Sequence, residues 1–257
     1  MSNESSDTAA TATGATLPDD LSLGAVHLRV TDLDRSAGFY ERAIGLTTRE
    51  RGEGVASLGA GGEDLLVLHE RPGAQRAGGH AGLYHFALLH PTRAELGRAV
   101  LRLDDAGVPI QGASDHGISE AIYLPDPDGN GIELAADRPP ERWGDLRDPT
   151  TIGPAPLDMA SLLAPVSGEK PGARARADRD LRVGHLHMHV GDVEEALRFW
   201  RDAIGFEVMT HFDSAAFVAA GGYHHHLGLN VWRGQGVPPP PAETVGLERW
   251  TIALDPG

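Results

Sequence analysis

Three side chains able to bind a metal or move a proton, His116, Tyr123 and Glu133, fall within one stretch from Asp115 to Asp137. Two apolar runs, Ala121 to Leu124 and Ile132 to Ala135, flank Asp126-Pro127-Asp128-Gly129-Asn130, whose Pro, Asp and Gly suit the φ angles of a tight reversal. The pattern predicts a β-hairpin. Alternation sets Glu133 opposite Ile132 and Leu134, and Tyr123 opposite Ile122 and Leu124, so one face is apolar and the other presents a carboxylate and a phenol. Such a hairpin suits a curved sheet with helices on one side and a ligand in its hollow. His116 stands at the hairpin's mouth. Elsewhere, His27 and His85 lie in alternating segments, His185, His187 and His189 share one face of another, and Tyr223-His224-His225-His226 adds further imidazoles. A cluster of this kind can bind metal. With no cysteine in the chain, any bound metal must be held by imidazole and carboxylate.

The elements that position these groups can be read in order. Residues 1–20, rich in Ser, Thr, Ala and Asp, read as a disordered tail. Leu23 to Val30 alternates as a strand, with Val26, Leu28 and Val30 on one face and Ala25, His27 and Arg29 on the other. Asp32 is placed to cap the following helix, which carries Phe39 and Ile44 and stops at Gly45. Strands around Val55 to Leu58 and Asp64 to His69 give a β-α-β-β-β unit. A second unit starts at Gly82, with His85 on the face of Ala87 and Leu89, a helix over Thr92 to Ala106, a strand around Ile110, and the hairpin. Residues 139–180, with several prolines and a charged run from Arg174 to Arg182, form a linker, in which Leu157, Met159, Leu162 and Leu163 predict one short docked helix.

The first unit then recurs. Gly24, His27, Val30, Asp32, Phe39, Ala43, Ile44, Gly45, Gly61 and Gly62 all reappear 160 residues later, from Gly184 to Gly222. A constant offset over ten positions marks a duplicated unit. Gly246 to Leu254 resembles the opening of the second unit, so the fourth unit is expected to lack its helix and last three strands. The expected division is a tail over 1–20, a first module over 21–138, a linker over 139–180 and an incomplete second module over 181–257.

Composition narrows the functions. The 37 acidic residues against 22 basic ones, a net charge of −15, argue against nucleic acid or anionic membranes as partners. Lys170 is the sole lysine, a bias that concerns solubility or genome composition rather than chemistry. No apolar run approaches a membrane span and the first residues lack the features of a signal peptide, so the cytoplasm is the expected compartment.

Repeated βαβββ units, together with Gly82-Leu-Tyr-His-Phe-Ala and His116-Gly-Ile-Ser-Glu-Ala-Ile-Tyr-Leu-Pro-Asp-Pro-Asp-Gly-Asn-Gly-Ile-Glu, resemble the vicinal oxygen chelate superfamily, which includes glyoxalases, bleomycin resistance proteins and extradiol dioxygenases. The closer resemblance is to its two-module, catechol-2,3-dioxygenase-like branch, over residues 21–257. The resemblance implies an α+β fold in which tandem units pair into open eight-stranded barrels around a divalent metal. It implies Fe(II), or Mn(II), held by His27, His85 and Glu133, a set of two imidazoles and one carboxylate that leaves coordination positions open. It also implies that His116 moves protons and Tyr123 donates a hydrogen bond to bound oxygen, and imidazole is suited to the first role by a pKa near neutrality. Taken singly, each His is equally a polar group on a solvated sheet face, His116 a turn residue and Tyr123 a packing residue. The family's extradiol enzymes further place a His near the end of the preceding unit, where this chain reads Gly62-Glu63-Asp64.

The implied activity is extradiol ring cleavage of a catechol-type diol by O2. The sheet edge that an incomplete fourth unit leaves open predicts either a homo-oligomer that covers it or a chain that has lost its natural C-terminus. The alternatives are a non-catalytic protein that binds a small aromatic or an antibiotic, and a glyoxalase-like isomerase or lyase. The cluster of His185, His187, His189, His224, His225 and His226 is a rival metal site. Because Arg249 stands about where His85 would be matched and no strand follows to carry a Glu, a structural role or a degenerate pocket is the expectation there.

Overall fold

Alternation over Ser22–Val30 builds strand β1, with Val26, Leu28 and Val30 buried. The computed structural model describes residues 16–148 and 153–254. Asp32 caps helix α1 (Leu33–Phe39), its carboxylate accepting the Arg35 N–H at 2.9 Å. The helix then widens into a π turn, Tyr40–Ile44, and ends at Gly45 with φ 84°, a left-handed conformation that a side chain would strain. Strands β2 (Thr47–Gly52), β3 (Val55–Gly59) and β4 (Leu66–Glu70) follow as an antiparallel meander, and β4 returns parallel to β1.

The second unit repeats this plan with β5 (Gly82–Leu89), α2 (Arg93–Asp105), β6 (Gly112–Asp115), β7 (Ser119–Pro125) and β8 (Gly131–Asp137). After it comes the short helix α3 (Met159–Leu163), whose Leu162 is buried and which packs against α2. Arg102 of α2 fastens the segment that precedes the third unit, donating to the carbonyls of Ile44, Arg174 and Arg176 at 2.7, 2.8 and 3.2 Å. The third unit contains β9 (Arg182–His189), α4 (Val193–Leu197) with a π extension to Ile204, β10 (Glu207–Phe212), β11 (Ala215–Ala219) and β12 (Leu227–Asn230). The 160-residue repeat has a direct physical meaning here. Asp192 caps α4 through the Glu195 N–H at 2.8 Å, and Gly205 ends it with φ 102°.

Strand β13 (Gly246–Ala253) lies antiparallel to β1, while β5 lies antiparallel to β9. The ladder therefore runs β6-β7-β8-β5-β9-β12-β11-β10, joining the second unit to the third; β2-β3-β4-β1-β13 forms a separate arm. The sheet is not closed. This corrects the expected grouping, in which the first and second units share one barrel within residues 21–138. Between β1 and β9 the register has a single pair, Leu23 with Val183.

The first unit instead braces the hairpin from outside. Oδ1 of Asp126 accepts the N–H groups of Asp128 and Asn130, each at 2.8 Å, and its Oδ2 accepts the Asn130 side-chain amide at 2.8 Å and the buried Tyr40 hydroxyl at 3.0 Å. Asp128 accepts the N–H and hydroxyl of Thr31 at 3.0 and 2.7 Å and pairs with Arg35 at 2.6 Å. The expected tail also ends earlier than predicted. Residues 1–15 lie outside the described residues, but the Leu17 N–H already donates to the Gly205 carbonyl at 3.1 Å and its side chain packs on the core. Among the described residues, no helix is long and apolar enough to cross a membrane.

Candidate metal centre and its cavity

In the β5–β8 ladder Ala87 faces Glu133, and in the β5–β9 ladder Ala87 faces His185. Because Ala87 carries only a methyl group, the carboxylate and the imidazole from the two flanking strands can meet above it. His85, two residues along β5, projects from the same face. Glu133 Oε2 lies 3.1 Å from Nε2 of His185 and 2.9 Å from Nε2 of His85, and one ligand atom from each residue falls within 4.8 Å of the other two. All three side chains are buried.

The sequence-predicted residues thus divide. His85 and Glu133 come together, but His27 does not join them. Its strand is flanked by β4 and β13, its ladder partner is Arg249, and its Nδ1 is 3.0 Å from Nε2 of His69. The physical reason is the pairing of β5 with β9, which offers His185 in its place. The 160-residue repeat equates His27 with His187, one pleat further along β9, so the repeat alone misdirects by two residues.

A cavity of about 490 Å³ opens over this group, lined mainly by apolar surface from both units. On one wall the hydroxyl of Tyr123 is 2.8 Å from Nε2 of His116. Tyr123 faces Glu133 in the β7–β8 ladder, so the hairpin presents both to one hollow, as the alternation predicts, and His116 lines the same cavity from the hairpin's mouth. Burial, with the Glu133 charge adding to it, pushes the Tyr123 phenol far above its ordinary pKa, and burial pushes His116 below its own. Tyr123 therefore keeps its proton, and neutral His116 has a lone pair to accept one.

On another wall stand His224 and His225, which expectation assigned to a structural role or a degenerate pocket. The His225 ring centroid is 4.1 Å from that of His185, its Nδ1 is 2.8 Å from Nδ1 of His224, and His224 Nε2 in turn meets Asp137 at 2.9 Å. A signal for them was present in the repeat: His224 stands 160 residues after Asp64, at the position where the first unit lacks a histidine.

The donor set fits a divalent ion. Burial, with neighbouring imidazoles adding to it, holds His185 below the ordinary histidine pKa, so the ring is neutral and free to ligate. Burial alone would raise the pKa of Glu133, but the two adjacent imidazoles outweigh it and keep the carboxyl ionised. Nε2 of His85, though close to Glu133, has no aligned hydrogen-bond partner. A ring nitrogen aimed between a carboxylate and a second imidazole is satisfied by a cation among the three.

A family model described as the Glyoxalase/Bleomycin resistance protein/Dioxygenase superfamily matches residues 22–134 and 182–247. Over 244 residues, 92% of this chain and 84% of the relative, the sequence is 41% identical to the catechol-2,3-dioxygenase of Bacillus subtilis (strain 168). It is 34% identical over 124 residues to biphenyl-2,3-diol 1,2-dioxygenase 3 of Rhodococcus globerulus, covering 45% of this chain and 61% of that one. Among solved structures, glyoxalase I from Zea mays superposes with a TM-score of 0.55 at 19% identity, over 90% of this chain and 74% of that one, a likeness of fold alone. The chain belongs to the Glyoxalase/Bleomycin resistance protein/Dioxygenase superfamily and is an extradiol-dioxygenase-like oxidoreductase within it.

Proposed function

We propose that this protein is a metal-dependent extradiol dioxygenase that cleaves the ring of a catechol-type diol, and that His85, His185 and Glu133 hold one Fe(II), with Mn(II) as the alternative ion. The observation that carries this reading is the convergence of two buried imidazoles and a buried carboxylate under an apolar cavity that also holds a paired phenol and imidazole. When bound, the ion supplies a Lewis acid for the diol oxygens and a partner for O2.

The chain's own residues do the rest. Glu133 contributes the one negative charge, while the two neutral imidazoles leave the ion's affinity for a dianionic or monoanionic diol intact. Without substrate the Tyr123 hydroxyl and Nε2 of His116 satisfy each other; a diol entering between them would receive the Tyr123 hydrogen bond on one oxygen and free Nε2 of His116 to take a proton from the diol or return one to the product. His225, on the other wall, is a second imidazole within reach of the same space. Phe212, Phe217 and Trp232 supply an apolar surround that fits an aromatic ring and excludes water.

Anaerobic purification followed by metal analysis and O2-uptake assays with catechols tests this reading. About one Fe or Mn per chain and yellow ring-cleavage products are expected. A protein that binds catechols tightly while holding no metal and consuming no O2 would be a binding module instead.

A further inference from the structure

Among the described residues that line the cavity, two buried side-chain nitrogens have no hydrogen-bond partner: Nε2 of His85 and Nε2 of His187. The first belongs to the metal group. The second has no such explanation, and a buried polar atom left unpaired is costly enough to need one.

His187 is only 4% exposed. Its ring is enclosed by Tyr84, Phe217 and Trp232, with centroid separations of 5.3, 5.4 and 5.2 Å, and it meets His85 edge-on at 5.0 Å. The backbone makes room for it. Gly228 faces His187 in the β9–β12 ladder, and a Cβ there would approach the imidazole carbons to 2.8 Å. The neighbouring strand thus leaves a slot in which the ring sits among aromatic side chains at the edge of the cavity, with its unpaired nitrogen buried.

We infer that His187 determines specificity: its Nε2 hydrogen-bonds an oxygen-bearing substituent on the ring of the diol, while the aromatic side chains around it pack on the ring itself. This rests on the dioxygenase reading, since it presumes a diol anchored at His85, His185 and Glu133. A substrate that fills the cavity but carries only a methyl group strands the imidazole without water or a partner. A site built around a hydrogen bond discriminates against the analogue that cannot make it.

The test compares 3- and 4-methylcatechol with the diols bearing hydroxymethyl or carboxylate at the same positions. In the wild type the polar diols should have the higher kcat/KM. His187→Leu should lower the ratio of polar to methyl substrates by about tenfold or more, with bound metal unchanged, whereas His187→Gln should retain part of the preference. Gly228→Ala, which displaces the ring and keeps it, should shift the ratio in the same direction and serves if the Leu variant does not fold. Titration calorimetry without O2 should show the same change in relative affinity, and this measurement stands even if no diol is turned over, an outcome that would defeat the dioxygenase reading alone. Equal ratios in wild type and His187→Leu, or loss of metal from that variant, would overturn the assignment.

Discussion

The β5–β9 seam and the β1–β13 seam are built from the same repeating unit, yet only the first gathers groups fit for chemistry. At the inner seam a methyl group, Ala87, separates a carboxylate from an imidazole and leaves a hollow above them. At the outer seam His27 faces Arg249 and packs on His69, with burial and then the nearby Arg249 charge lowering its pKa. The features that recur in both halves, Asp32 with Asp192 and Gly45 with Gly205, start and stop helices. Duplication therefore preserved the scaffold, and the chemistry depends on which strands become neighbours.

The contrast can be broken most directly at the proposed ligands. Glu133→Ala removes the one anionic donor and leaves two buried imidazoles facing a cavity, so elemental analysis should find essentially no bound metal and turnover should vanish. His27→Ala should leave metal content and turnover as they are; loss of metal from that variant with retention in Glu133→Ala would move the site to the outer seam. Next in size, His116→Ala should keep its metal and slow turnover by about 10²–10⁴-fold, the range of a lost general acid or base. Simultaneous loss of metal would show that His116 supports the ligands rather than the substrate.

Two smaller effects sharpen the role given to the first unit as a brace. Tyr40→Phe deletes one buried donor to Asp126 and should lower unfolding free energy by about 1–3 kcal/mol, read by denaturant titration, with metal stoichiometry unaffected. Asp128 gives a pH signature. Burial raises its pKa, but hydrogen bonds from Thr31 and Arg35 outweigh that, so its folded pKa lies below the ordinary carboxylate value. Its contribution is therefore full above the unfolded pKa, near 4, and is lost as pH falls through the lower folded value. Asp128→Asn should be less stable than wild type at neutral pH, and the difference should shrink in acid; a constant gap from pH 7 to pH 3 would contradict this.

Much of the scaffold was legible because alternation and capping are local. Asp32, Gly45, the Asp126 to Asn130 turn and the polar face of the hairpin each follow from a few adjacent residues. Two of the three proposed ligands were legible for the same reason: Glu133 and His85 lie on the hollow faces of their own strands. His185 was not, since alternation puts His185, His187 and His189 on one face alike, and the choice among them is made by the register of β9 against β5. That register depends on strands far apart in the chain. The histidine absent at Gly62-Glu63-Asp64 and present at His224 and His225 was the available hint that the third unit, rather than the first, completes the proposed site.

The nested order of pairing, second unit with third inside first with fourth, also bears on how the chain acquires its shape during synthesis. The hairpin with Glu133 leaves the ribosome well before β9, so β5 has an open edge until the intervening segment has been made and Arg102 has gathered it. Contacts of such long sequence separation form slowly and expose unpaired edges in the interval. The inner pair can close as soon as β12 is available, and β13 can then join β1 as the outer clasp. A pulse of nascent chains halted before β9 should therefore be protease-sensitive and bind chaperones, whereas chains halted after β12 should already protect the cavity strands.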